Sequence, residues 1–543
     1  MTRPWWTDTV GYQIYPRSFA DSNGDGNGDL GGVLEHLDYL QALGVQAIWI
    51  NPFYRSPQVD GGYDVSDPRA VDPMFGTIGD FDALVAAAHD CGLRLVIDLI
   101  PNHVSSAHPW FVEAVAAPAG SPPRSRFLFR DGVGELGDRP PNNWRSVFGG
   151  PAWTRVPNGQ WYLHLFDPGQ PDLNWTSLDV WDDLEHTLRF WLDRGVDGIR
   201  IDVAHGMAKP PDLPDAAPGS PAATEVPGLL PVTEGTSDPR FDNPGVHDIH
   251  RFIRRVLDSY RDRGAVGEVF AASVESLLLY LRPDELHQAF GFELTRAAFD
   301  ATAIRAAICR ELETAAAAGV AAVWTLSNHD VVRPATRYGG GEIGRQRAAA
   351  MILVELALPG AVYLFNGEEL GLPSVEVPDD RIQDPAWERS GHAERGRDSL
   401  RLPLPWAGHQ PPFGFSTSTD TWLPSPPEFA ELTVERQLAD PFSMLSLVRR
   451  AIALRREHPA VAGDWFDRVE WESLQAGSAA RDVLLFRRPG GLICVLNAGA
   501  EPIQLPAGAL LLASQLLLDG RLPPNAAAWL VAEPPWAGSG LRS

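Results

Sequence analysis

Residues 195–205 read GVDGIRIDVAH, a short strand pattern that ends on an aspartate. Asp197 to Ile201 alternates charged and apolar side chains as a β-strand does, and Asp202 comes where that strand should end. Arg200 lies two residues earlier, so on a strand its side chain points to the same side as the Asp202 carboxylate. A neighbouring cation favours the ionised carboxylate, which suits a nucleophile or a metal ligand. A structural ion pair at a strand end fits this segment equally well.

The overall composition predicts a globular protein with an acidic surface. The chain has 543 residues, 44% of them hydrophobic and 21% charged, and a chain of this length is expected to form about two to four domains. Its formal net charge is −25, and such a surface repels phosphate backbones and anionic lipid. We therefore expect neither nucleic acid nor a membrane among its partners. Lys209 is the only lysine.

Cysteine usage and the apolar segments give a prediction of the compartment. The three cysteines have neither disulfide nor metal-site spacing, and they are Cys91, Cys309 and Cys494. The first residues, MTRPWWTDTV, lack the charged and apolar regions of a secretory signal. The longest apolar region, residues 348–365, is interrupted by Glu355 and Pro359, which argues against a membrane span. These features predict a cytoplasmic protein.

Short apolar runs alternate with helix-length amphipathic segments along most of the chain. Eight runs have the length and composition of strands: Val10–Tyr15, Val45–Ile50, Leu93–Ile100, Asp197–Ile201, Val266–Val269, Gln288–Phe290, Ala321–Leu326 and Ala361–Phe365. Helical patterns separate them, notably Leu30–Leu43, Phe81–Cys91, Val180–Arg194, Val246–Arg263, Ala297–Ala318 and Arg345–Leu358. Strand and helix repeated eight times predict an α/β fold, the (β/α)8 or TIM barrel. A doubly wound sheet has a similar pattern, but no Gly-rich phosphate fingerprint follows any strand.

Long interruptions of this pattern suggest the domain organisation. Residues 104–173, after the third strand, are rich in Pro, Gly and Trp and too long for a simple loop, so we expect a small inserted domain. Two further excursions, residues 210–244 and 367–440, also lie on the face where barrel enzymes place their chemistry. Short strands such as Val483–Phe486 then predict an all-β sandwich. The expected domains are a barrel of residues 1–103 and 174–460, an inserted domain of 104–173 and a C-terminal β domain of 461–543.

Three carboxylates stand at predicted strand ends, namely Asp202, Glu268 and Asp330, and the sequence DLIPNH places His103 at a fourth. Each alone has a structural explanation, but a barrel directs all its strand ends at one pocket. Because no phosphate loop or His-rich metal site accompanies them, the set favours glycoside chemistry. Retention of configuration needs a carboxylate nucleophile and a protonated acid about 5–5.5 Å apart. Crowded like charges raise the pKa of one carboxyl and keep it protonated.

Residues 21–29, DSNGDGNGD, carry oxygen side chains at every second position. Small residues between them allow the loop to wrap a hard cation such as Ca²⁺. Gly32 stands at position twelve, where an EF-hand carries a bidentate Glu, so the loop is not an EF-hand. A polar turn without metal is the alternative. The ion, if bound, would be structural.

Taken together, the motifs resemble those of the α-amylase family of glycoside hydrolases (family 13), in its α-glucosidase and oligo-1,6-glucosidase branch. The resemblance covers most of the chain. It is carried, in order, by YQIYPRSFADSNGDGNGDLGG, NPFYRSPQVDGGYDVSDPRAVDPMFGT, DLIPNHVS, QPDLNW, GVDGIRIDVAH, GEVF and LSNHD.

This resemblance implies roles for the residues that match the family's motifs. Asp202 would be the nucleophile that forms a β-glucosyl ester, Glu268 the acid and base, and Asp330 the residue that holds the sugar's 2- and 3-hydroxyls. Further residues implied in substrate binding are Arg200, which keeps Asp202 ionised, His103, His329, Asp60, Tyr63, Phe166, Val203, Arg333 as a partner of Asp60, and Arg401. Metal ligands implied by the same resemblance are Asp21, Asn23, Asp25, Asn27 through its carbonyl, and Asp29, for a structural Ca²⁺ or Mg²⁺, with no organic cofactor.

The resemblance also implies the substrate class. A pocket closed around the non-reducing end admits only a terminal glucose, so we expect exo-cleavage of short α-glucosides such as maltose, isomaltose-type disaccharides and aryl α-glucosides, by a monomer or homodimer. Val203 is a residue type associated with α-1,6 preference, whereas the continuation AHGMAKPPDLPD resembles actinobacterial-type enzymes that favour α-1,4 bonds. We favour the α-1,4 bond. The segment GRDSLRLPLPW, which contains Arg401, stands where the family more commonly has RTPMPW.

Two alternatives remain at this stage. A transferase or isomerase on the same framework, of the trehalose synthase or sucrose isomerase type, would keep water from the glucosyl intermediate and allow transglucosylation. A non-catalytic relative, either a transporter partner or a carbohydrate-binding protein, would be expected to lack the carboxylates. The full carboxylate set argues against that second reading.

Overall fold

A computed structural model describes residues 3–217, 238–462, 468–472 and 482–532 of the protein. Its centre is a sheet of eight parallel strands, labelled β1 to β8 in chain order. They are Val10–Ile14, Ala47–Ile50, Arg94–Leu99, Gly198–Ile201, Gly264–Gly267, Gln288–Ala289, Val323–Trp324 and Ala361–Phe365. Every strand predicted from the sequence is present, with ends shifted by a few residues.

The eight strands form a barrel that is almost closed by hydrogen bonds. Their order in the sheet is β6, β5, β4, β3, β2, β1, β8, β7, so each strand lies beside its neighbour in sequence except at the two ends. Those ends meet where Gly291, just after β6, donates its N–H to the Val323 carbonyl at 3.0 Å and bridges to Trp324. The predicted (β/α)8 barrel is confirmed, and the carboxyl ends of its strands face one mouth.

Helices follow the barrel strands and supply its outer layer. From β1 to β8 they are Leu30–Glu35, Leu37–Leu43, Ile78–Asp90, Leu178–Asp193, Val246–Asp258, Val274–Tyr280, Glu293–Arg296, Ala301–Ala318, Pro334–Arg337 and Gly341–Ala357, and after β8 come Pro385–Arg389, Val434–Ala439 and Met444–Glu457. The single helix predicted over residues 30–43 is two helices. The break lies at His36, whose φ of −110° and ψ of 16° are not helical.

Helix Gly341–Ala357 explains the long apolar run near residue 350. From Ala348 to Ala357 every residue is buried, because one face packs on the barrel and another meets the C-terminal sheet. Trp529 of that sheet donates its indole N–H to the Leu353 carbonyl at 2.9 Å. A helix that is buried on both sides carries apolar residues on all its faces. No helix among the described residues is long and apolar enough to cross a membrane.

The segment between β3 and helix Leu178–Asp193 carries its own small sheet. Its strands are Phe129–Asp131, Trp153–Arg155 and Gln160–Leu163, antiparallel with the last in the centre, and it also contains helices Pro109–Ala116 and Pro122–Ser125. The segment returns to the barrel where Leu173 donates its N–H to the Asn102 carbonyl at 2.9 Å. A two-stranded ribbon, Tyr54–Arg55 with Asp67–Val71, lies in the loop after β2. The residue boundaries proposed for this inserted domain stay a prediction.

An all-β unit follows the barrel, as predicted. One antiparallel sheet contains Glu470–Trp471, Val483–Arg487, Leu492–Asn497, Ala509–Ala513 and Ala526–Val531, and a short pair, Ile503–Gln504 with Arg521–Leu522, forms a second. Leu485, Ile493 and Leu530 face that pair, whereas alternate residues such as Phe486 and Trp529 join the barrel's hydrophobic core. This alternation lets one sheet be buried on both faces.

Candidate active site

Barrel pairing sets two carboxylates side by side. Asp202 follows β4 directly and donates its N–H to the Leu99 carbonyl at 2.9 Å, and Glu268 follows β5 directly and donates to the Ile201 carbonyl at 3.0 Å. The side chains of Asp202 and Glu268 are buried, with residue exposures of 5% and 7%. Asp98, at the end of β3, is also buried.

The Arg200 guanidinium joins three carboxylates. Its Nη1 lies 2.7 Å from Asp202 Oδ1 and 2.8 Å from Asp98 Oδ1, and its Nη2 lies 3.0 Å from Glu268 Oε2. One cation therefore fixes the positions of a potential nucleophile and a potential acid. The spacing of two residues on a strand placed Arg200 and Asp202 on the same side, as the sequence suggested.

Val203 completes this arrangement through its backbone. Its N–H donates to Glu268 Oε2 at 3.1 Å, and its φ of 43° lies in the left-handed region. A β-branched residue pays a steric cost there, so the surrounding contacts hold the turn in place. The turn directs an N–H at the Glu268 carboxyl.

Burial and like charge together shift the pKa values of the carboxyl pair. Burial raises the pKa of Asp202 well above its usual range, Arg200 opposes this, and the neighbouring Glu268 raises it further. Burial likewise raises the pKa of Glu268, again opposed by Arg200 and reinforced by Asp330. Two such groups titrate as a pair, and the pair retains one proton at pH values where a free carboxyl has lost its own. Raised pKa values in such a pair favour one protonated and one ionised carboxyl.

Asp330 is different, because cations surround it. Burial acts to raise its pKa, but the net effect of the surrounding charges holds that pKa well below its usual range. Arg401 Nη2 lies 2.8 Å and Arg397 Nη1 3.0 Å from Asp330 Oδ1, and His329 Nε2 lies 3.1 Å from Oδ2. Burial lowers the pKa of His329 well below its usual range, and the charges that lower the pKa of Asp330 are those of His329, Arg397 and Arg401. Asp330 is thus a fixed anion.

Asp60 pairs with Arg397, not with Arg333. Arg397 Nη2 lies 2.5 Å from Asp60 Oδ1, and Gln170 Nε2 donates to Asp60 Oδ2 at 3.0 Å. The pairing of Asp60 with Arg333 predicted from the sequence is wrong. Arg333 is buried and donates to two backbone carbonyls, of Leu400 at 3.0 Å and Asn366 at 2.9 Å, where it supports the loops that follow β8.

Neutral imidazoles and aromatic rings form the wall beside these charges. His329 stacks on the ring of Tyr63, with centroids 5.2 Å apart and planes inclined by 7°. Tyr63 donates its hydroxyl to Asp98 Oδ2 at 3.1 Å. His103 lies 5.2 Å from the ring of Phe166, and burial lowers the pKa of His103 to about 4. Neutral N–H groups and ring faces are suited to sugar hydroxyls and to the apolar faces of sugar rings.

The structure therefore brings most of the predicted residues together. The connected set is Asp60, Tyr63, His103, Phe166, Arg200, Asp202, Val203, Glu268, His329, Asp330 and Arg401, and Arg333 lies apart from it. Sequence reasoning missed Arg397 and Gln170. Both lie in segments that had been singled out, GRDSLRLPLPW and QPDLNW, but nothing in either spacing shows which carboxylate they reach.

The predicted metal loop lies outside this set. Asp21 accepts N–H bonds from Asn23, Gly24 and Gly26, and its Oδ2 also accepts from the Ser416 hydroxyl at 2.5 Å. The oxygen-only donor set of the loop suits a hard cation. Across the described ranges, no group of three or more His, Cys, Asp or Glu side chains is arranged to hold a metal. The Ca²⁺ or Mg²⁺ ion stays a prediction.

Comparison with known proteins identifies the family. Residues 13–464 match the catalytic domain of α-amylase. The chain belongs to the α-amylase family of glycoside hydrolases. Among family members, a probable α-glucosidase of Rhizobium meliloti (strain 1021) is 39% identical over 477 residues, which span 86% of this chain and 85% of that protein. An oligo-1,6-glucosidase of Parageobacillus thermoglucosidasius is 34% identical over 503 residues, 86% of each chain.

A solved structure of the family extends the likeness to the fold. The α-glucosyl transfer enzyme XgtA superposes with a TM-score of 0.84 at 36% identity, covering 98% of this chain and 100% of that one. The predicted family and enzyme class are confirmed. Glycoside hydrolysis uses two carboxyl groups, and Asp202 and Glu268 are two carboxyl groups that share the Arg200 guanidinium.

Proposed function

We propose that this chain is an exo-acting, retaining α-glucosidase that releases terminal glucose from short α-glucosides. The observation that supports this best is the shared guanidinium of Arg200, which holds Asp202 and Glu268 together in one buried network. In the proposed reaction, Asp202 attacks the anomeric carbon while Glu268 protonates the leaving oxygen. Water, activated by Glu268, then hydrolyses the β-glucosyl ester at Asp202.

The residues around that pair suit one glucose unit. Asp330, held as an anion by Arg397 and Arg401, would accept hydrogen bonds from the 2- and 3-hydroxyls. The Asp60–Arg397 ion pair links the loops after β2 and β8 and would close the pocket beyond the non-reducing end. A pocket closed in this way has no room for a chain that continues past the terminal sugar, so starch should be a poor substrate.

The mechanism is tested by hydrolysis of 4-nitrophenyl α-glucoside. The wild-type enzyme should release α-glucose first, seen by proton NMR before mutarotation, as retention requires. Asp202→Ala should lose all measurable turnover while its circular dichroism spectrum stays unchanged. Initial release of β-glucose, or near wild-type turnover by Asp202→Ala, would reject the proposal.

Linkage preference is a finer proposal, in which we favour α-1,4 bonds. Initial rates on maltose, isomaltose, kojibiose, nigerose and sucrose would rank the linkages directly. A higher kcat/KM for isomaltose than for maltose would replace the α-1,4 proposal by an α-1,6 one.

A second candidate is glucosyl transfer or isomerisation, supported by the likeness to an α-glucosyl transfer enzyme. Both reactions share the ester at Asp202 and differ in whether water or a sugar hydroxyl attacks it. Product analysis on concentrated maltose separates them. Glucose as the main product supports hydrolysis, whereas trehalose, another disaccharide or a trisaccharide supports transfer.

We also propose that residues 21–29 bind a structural Ca²⁺ or Mg²⁺ through the side chains of Asp21, Asn23, Asp25 and Asp29 and the carbonyl of Asn27. The ion would brace the loop after β1 and take no part in the reaction. A metal-free sample should gain thermal stability on addition of Ca²⁺ or Mg²⁺, and the Asp25→Asn variant should gain less. Equal melting temperatures with and without either ion would reject the site.

A further inference from the structure

A buried chain of side-chain contacts connects Asp98 with Asp330. It runs from Asp98 through the amides of Asn51 and Gln13 to His329, whose ring lies beside Asp330. Gln13, Asn51, Asp98 and His329 are each only 1% exposed. Gln13 lies in β1 and Asn51 directly follows β2, so the barrel itself fixes where the two amides stand.

Asp98 determines which way the Asn51 amide faces. Each Asp98 oxygen meets a group that can only donate, since Oδ1 lies 2.8 Å from Arg200 Nη1 and Oδ2 lies 3.2 Å from the Trp49 indole nitrogen. The Tyr63 hydroxyl donates its one hydrogen to Asp98 Oδ2 at 3.1 Å, so its oxygen accepts from Asn51 Nδ2 at 2.6 Å. In the reversed amide, the Asn51 oxygen would lie against the Tyr63 oxygen and 3.4 Å from the carboxylate, and one of these oxygen contacts would lack a hydrogen.

The oriented Asn51 amide orients Gln13 in turn. Asn51 Oδ1 accepts from Gln13 Nε2 at 2.8 Å, and the same nitrogen lies 2.7 Å from His329 Nδ1. An amide nitrogen has two hydrogens and does not accept, so Gln13 donates one hydrogen to Asn51 and the other to His329. His329 Nδ1 therefore accepts, and the imidazole proton is on Nε2.

The second ring nitrogen of His329 faces an acceptor. Nε2 lies 3.1 Å from Asp330 Oδ2, a carboxylate oxygen that attracts an N–H group and repels a lone pair. The surroundings of both nitrogens thus favour the same tautomer. Tyr63 and Tyr15 stack on the ring, at centroid distances of 5.2 and 6.3 Å, and restrict its rotation. Burial lowers the pKa of His329 well below its usual range, and above that pKa the neutral ring meets Asp330 through an N–H group.

We propose that Asn51 and Gln13 are positioning residues that hold His329 as the Nε2–H tautomer beside Asp330. The inference rests on the proposed function, in which Asp330 binds the 2- and 3-hydroxyls of the terminal glucose. It adds two residues that act on the sugar only through His329 and Asp330.

The tautomer matters for the orientation of the Asp330 carboxylate. Arg397 and Arg401 contact its Oδ1, whereas His329 Nε2 lies beside its Oδ2. An N–H group at that place attracts Oδ2 and keeps the carboxylate plane fixed, but a nitrogen lone pair would repel Oδ2 and turn the carboxylate. Because hydrogen bonds to the 2-hydroxyl strengthen in the transition state, a turned carboxylate should affect kcat more than KM.

The tautomer can be read directly from long-range proton–nitrogen NMR spectra, recorded at neutral pH on protein labelled with ¹⁵N-histidine. His329→Gln identifies the signals of His329 by their loss. In the wild type we expect a protonated Nε2 and an unprotonated Nδ1. Gln13→Glu should place a proton on Nδ1, because the carboxylate that replaces the amide can only accept. A protonated Nδ1 in the wild type, or an unprotonated Nδ1 in Gln13→Glu, would overturn the proposal.

Kinetics of the same variant test the consequence for the reaction. Gln13→Glu should lower kcat for 4-nitrophenyl α-glucoside by about 10- to 100-fold, with a smaller change in KM. Gln46→Glu is the matched control, because Gln46 directly precedes β2 and its Oε1 accepts from the Val10 N–H at 3.1 Å, a bond that a glutamate retains. The control adds the same charge to the same pair of strands and should leave the His329 signals and kcat unchanged. Equal losses of kcat in the two variants would contradict the role of Gln13.

Gln13→Met covers the case in which Gln13→Glu does not fold. Methionine has a similar length but no N–H group, so the Nδ1 resonance of His329 should move as this nitrogen loses its hydrogen bond, while Asp330 keeps the proton on Nε2. An unmoved Nδ1 resonance would overturn the proposal, whether or not the wild-type enzyme hydrolyses α-glucosides. Absence of that hydrolysis would instead reject the proposed function, with the tautomer still measurable.

Discussion

Arg397 and Asp60 form a buried ion pair that joins the loop after β8 to the loop after β2. The same guanidinium reaches Asp330 and Asp384, so one cation contacts three carboxylates. Because every member is largely buried, loss of the cation would leave Asp60 and Asp384 without their ion-pair partner, whereas Asp330 would keep Arg401.

Replacement of Arg397 by Ala should lower kcat/KM for 4-nitrophenyl α-glucoside by about 100-fold or more, which corresponds to roughly 3 kcal/mol. The physical reason is that Asp60 and Asp330 would repel each other and lose their positions. Arg395→Ala, two residues away, is the control, since Arg395 pairs with the exposed Glu376 and Asp379. Comparable losses in the two variants would contradict a specific role for Arg397.

The proton held by the Asp202–Glu268 pair should be visible in the choice of leaving group. With maltose, glucosylation should slow as pH rises through the raised pKa of Glu268, because the protonated acid is lost. The fluoride leaving group of α-glucosyl fluoride needs little protonation. Its glucosylation rate should therefore not fall as pH rises through the pKa of Glu268. Stopped-flow or pre-steady-state rates over pH 5–9 would check this, the range being about that in which a raised carboxyl pKa falls.

Glu268→Gln offers an independent check of the same assignment. It should slow maltose hydrolysis by about 1,000-fold yet still release a burst of fluoride from α-glucosyl fluoride. The burst should equal the enzyme concentration, because the ester at Asp202 forms but lacks its base. No burst would mean that Glu268 acts in another way.

Val203→Thr should change linkage preference without changing the backbone turn. The two side chains have the same shape and both are β-branched, so the left-handed φ of 43° should persist. Because the resemblance links a Val at this position to α-1,6 preference, we expect its replacement to raise the ratio of kcat/KM for maltose over isomaltose by about tenfold. An unchanged ratio would show that linkage choice lies elsewhere in the pocket.

Glu355 should make stability depend on pH. It is fully buried in helix Gly341–Ala357, and neither carboxyl oxygen has a hydrogen-bond partner among the described residues. Burial raises its pKa well above the usual range, and nearby Glu368 adds to this. A pKa raised in the folded state gives stability that is present below the unfolded pKa and is lost as pH rises through the folded one.

Glu355→Met should therefore raise the melting temperature more at pH 8 than at pH 5. The gain in the free energy of unfolding should be about 2 kcal/mol larger at pH 8. Glu342→Gln is the control, because Glu342 is exposed on the same helix and pairs with Arg345. Calorimetry at several pH values would show the difference. An equal shift at both pH values would contradict a buried proton on Glu355.

The barrel was predictable because each strand is a short apolar run and the motifs mark the strand ends. Asp202, Glu268 and Asp330 could be placed at one mouth by topology alone, since all parallel strands end on the same side. The partner of Asp60 could not, because Arg333 and Arg397 both follow late barrel strands and spacing gives no distance between loops. The folded structure excludes Arg333 as the partner of Asp60, because the Arg333 guanidinium lies over the ring of Phe365 and donates only to backbone carbonyls.

The buried contact of Lys209 with Asp172 and Asn102 is a further limit of sequence reasoning. Asn102, Asp172 and Lys209 are separated by up to about a hundred positions in the chain, and nothing local marks them as partners. Their contact is a buried arrangement of charged and polar groups that only the folded structure brings together.

The solitary lysine has a practical consequence for covalent chemistry. Apart from a chain terminus, Lys209 is the only primary amine that acylating reagents or aldehydes can modify, and in the folded state its ammonium is enclosed between Asp172 and Asn102. Acylation can proceed only when that contact opens, so the rate of incorporation would measure the opening of this joint alone. Amine-reactive labelling of Lys209 thus becomes a single-site probe of how often the end of the inserted segment, at Asp172, separates from the barrel.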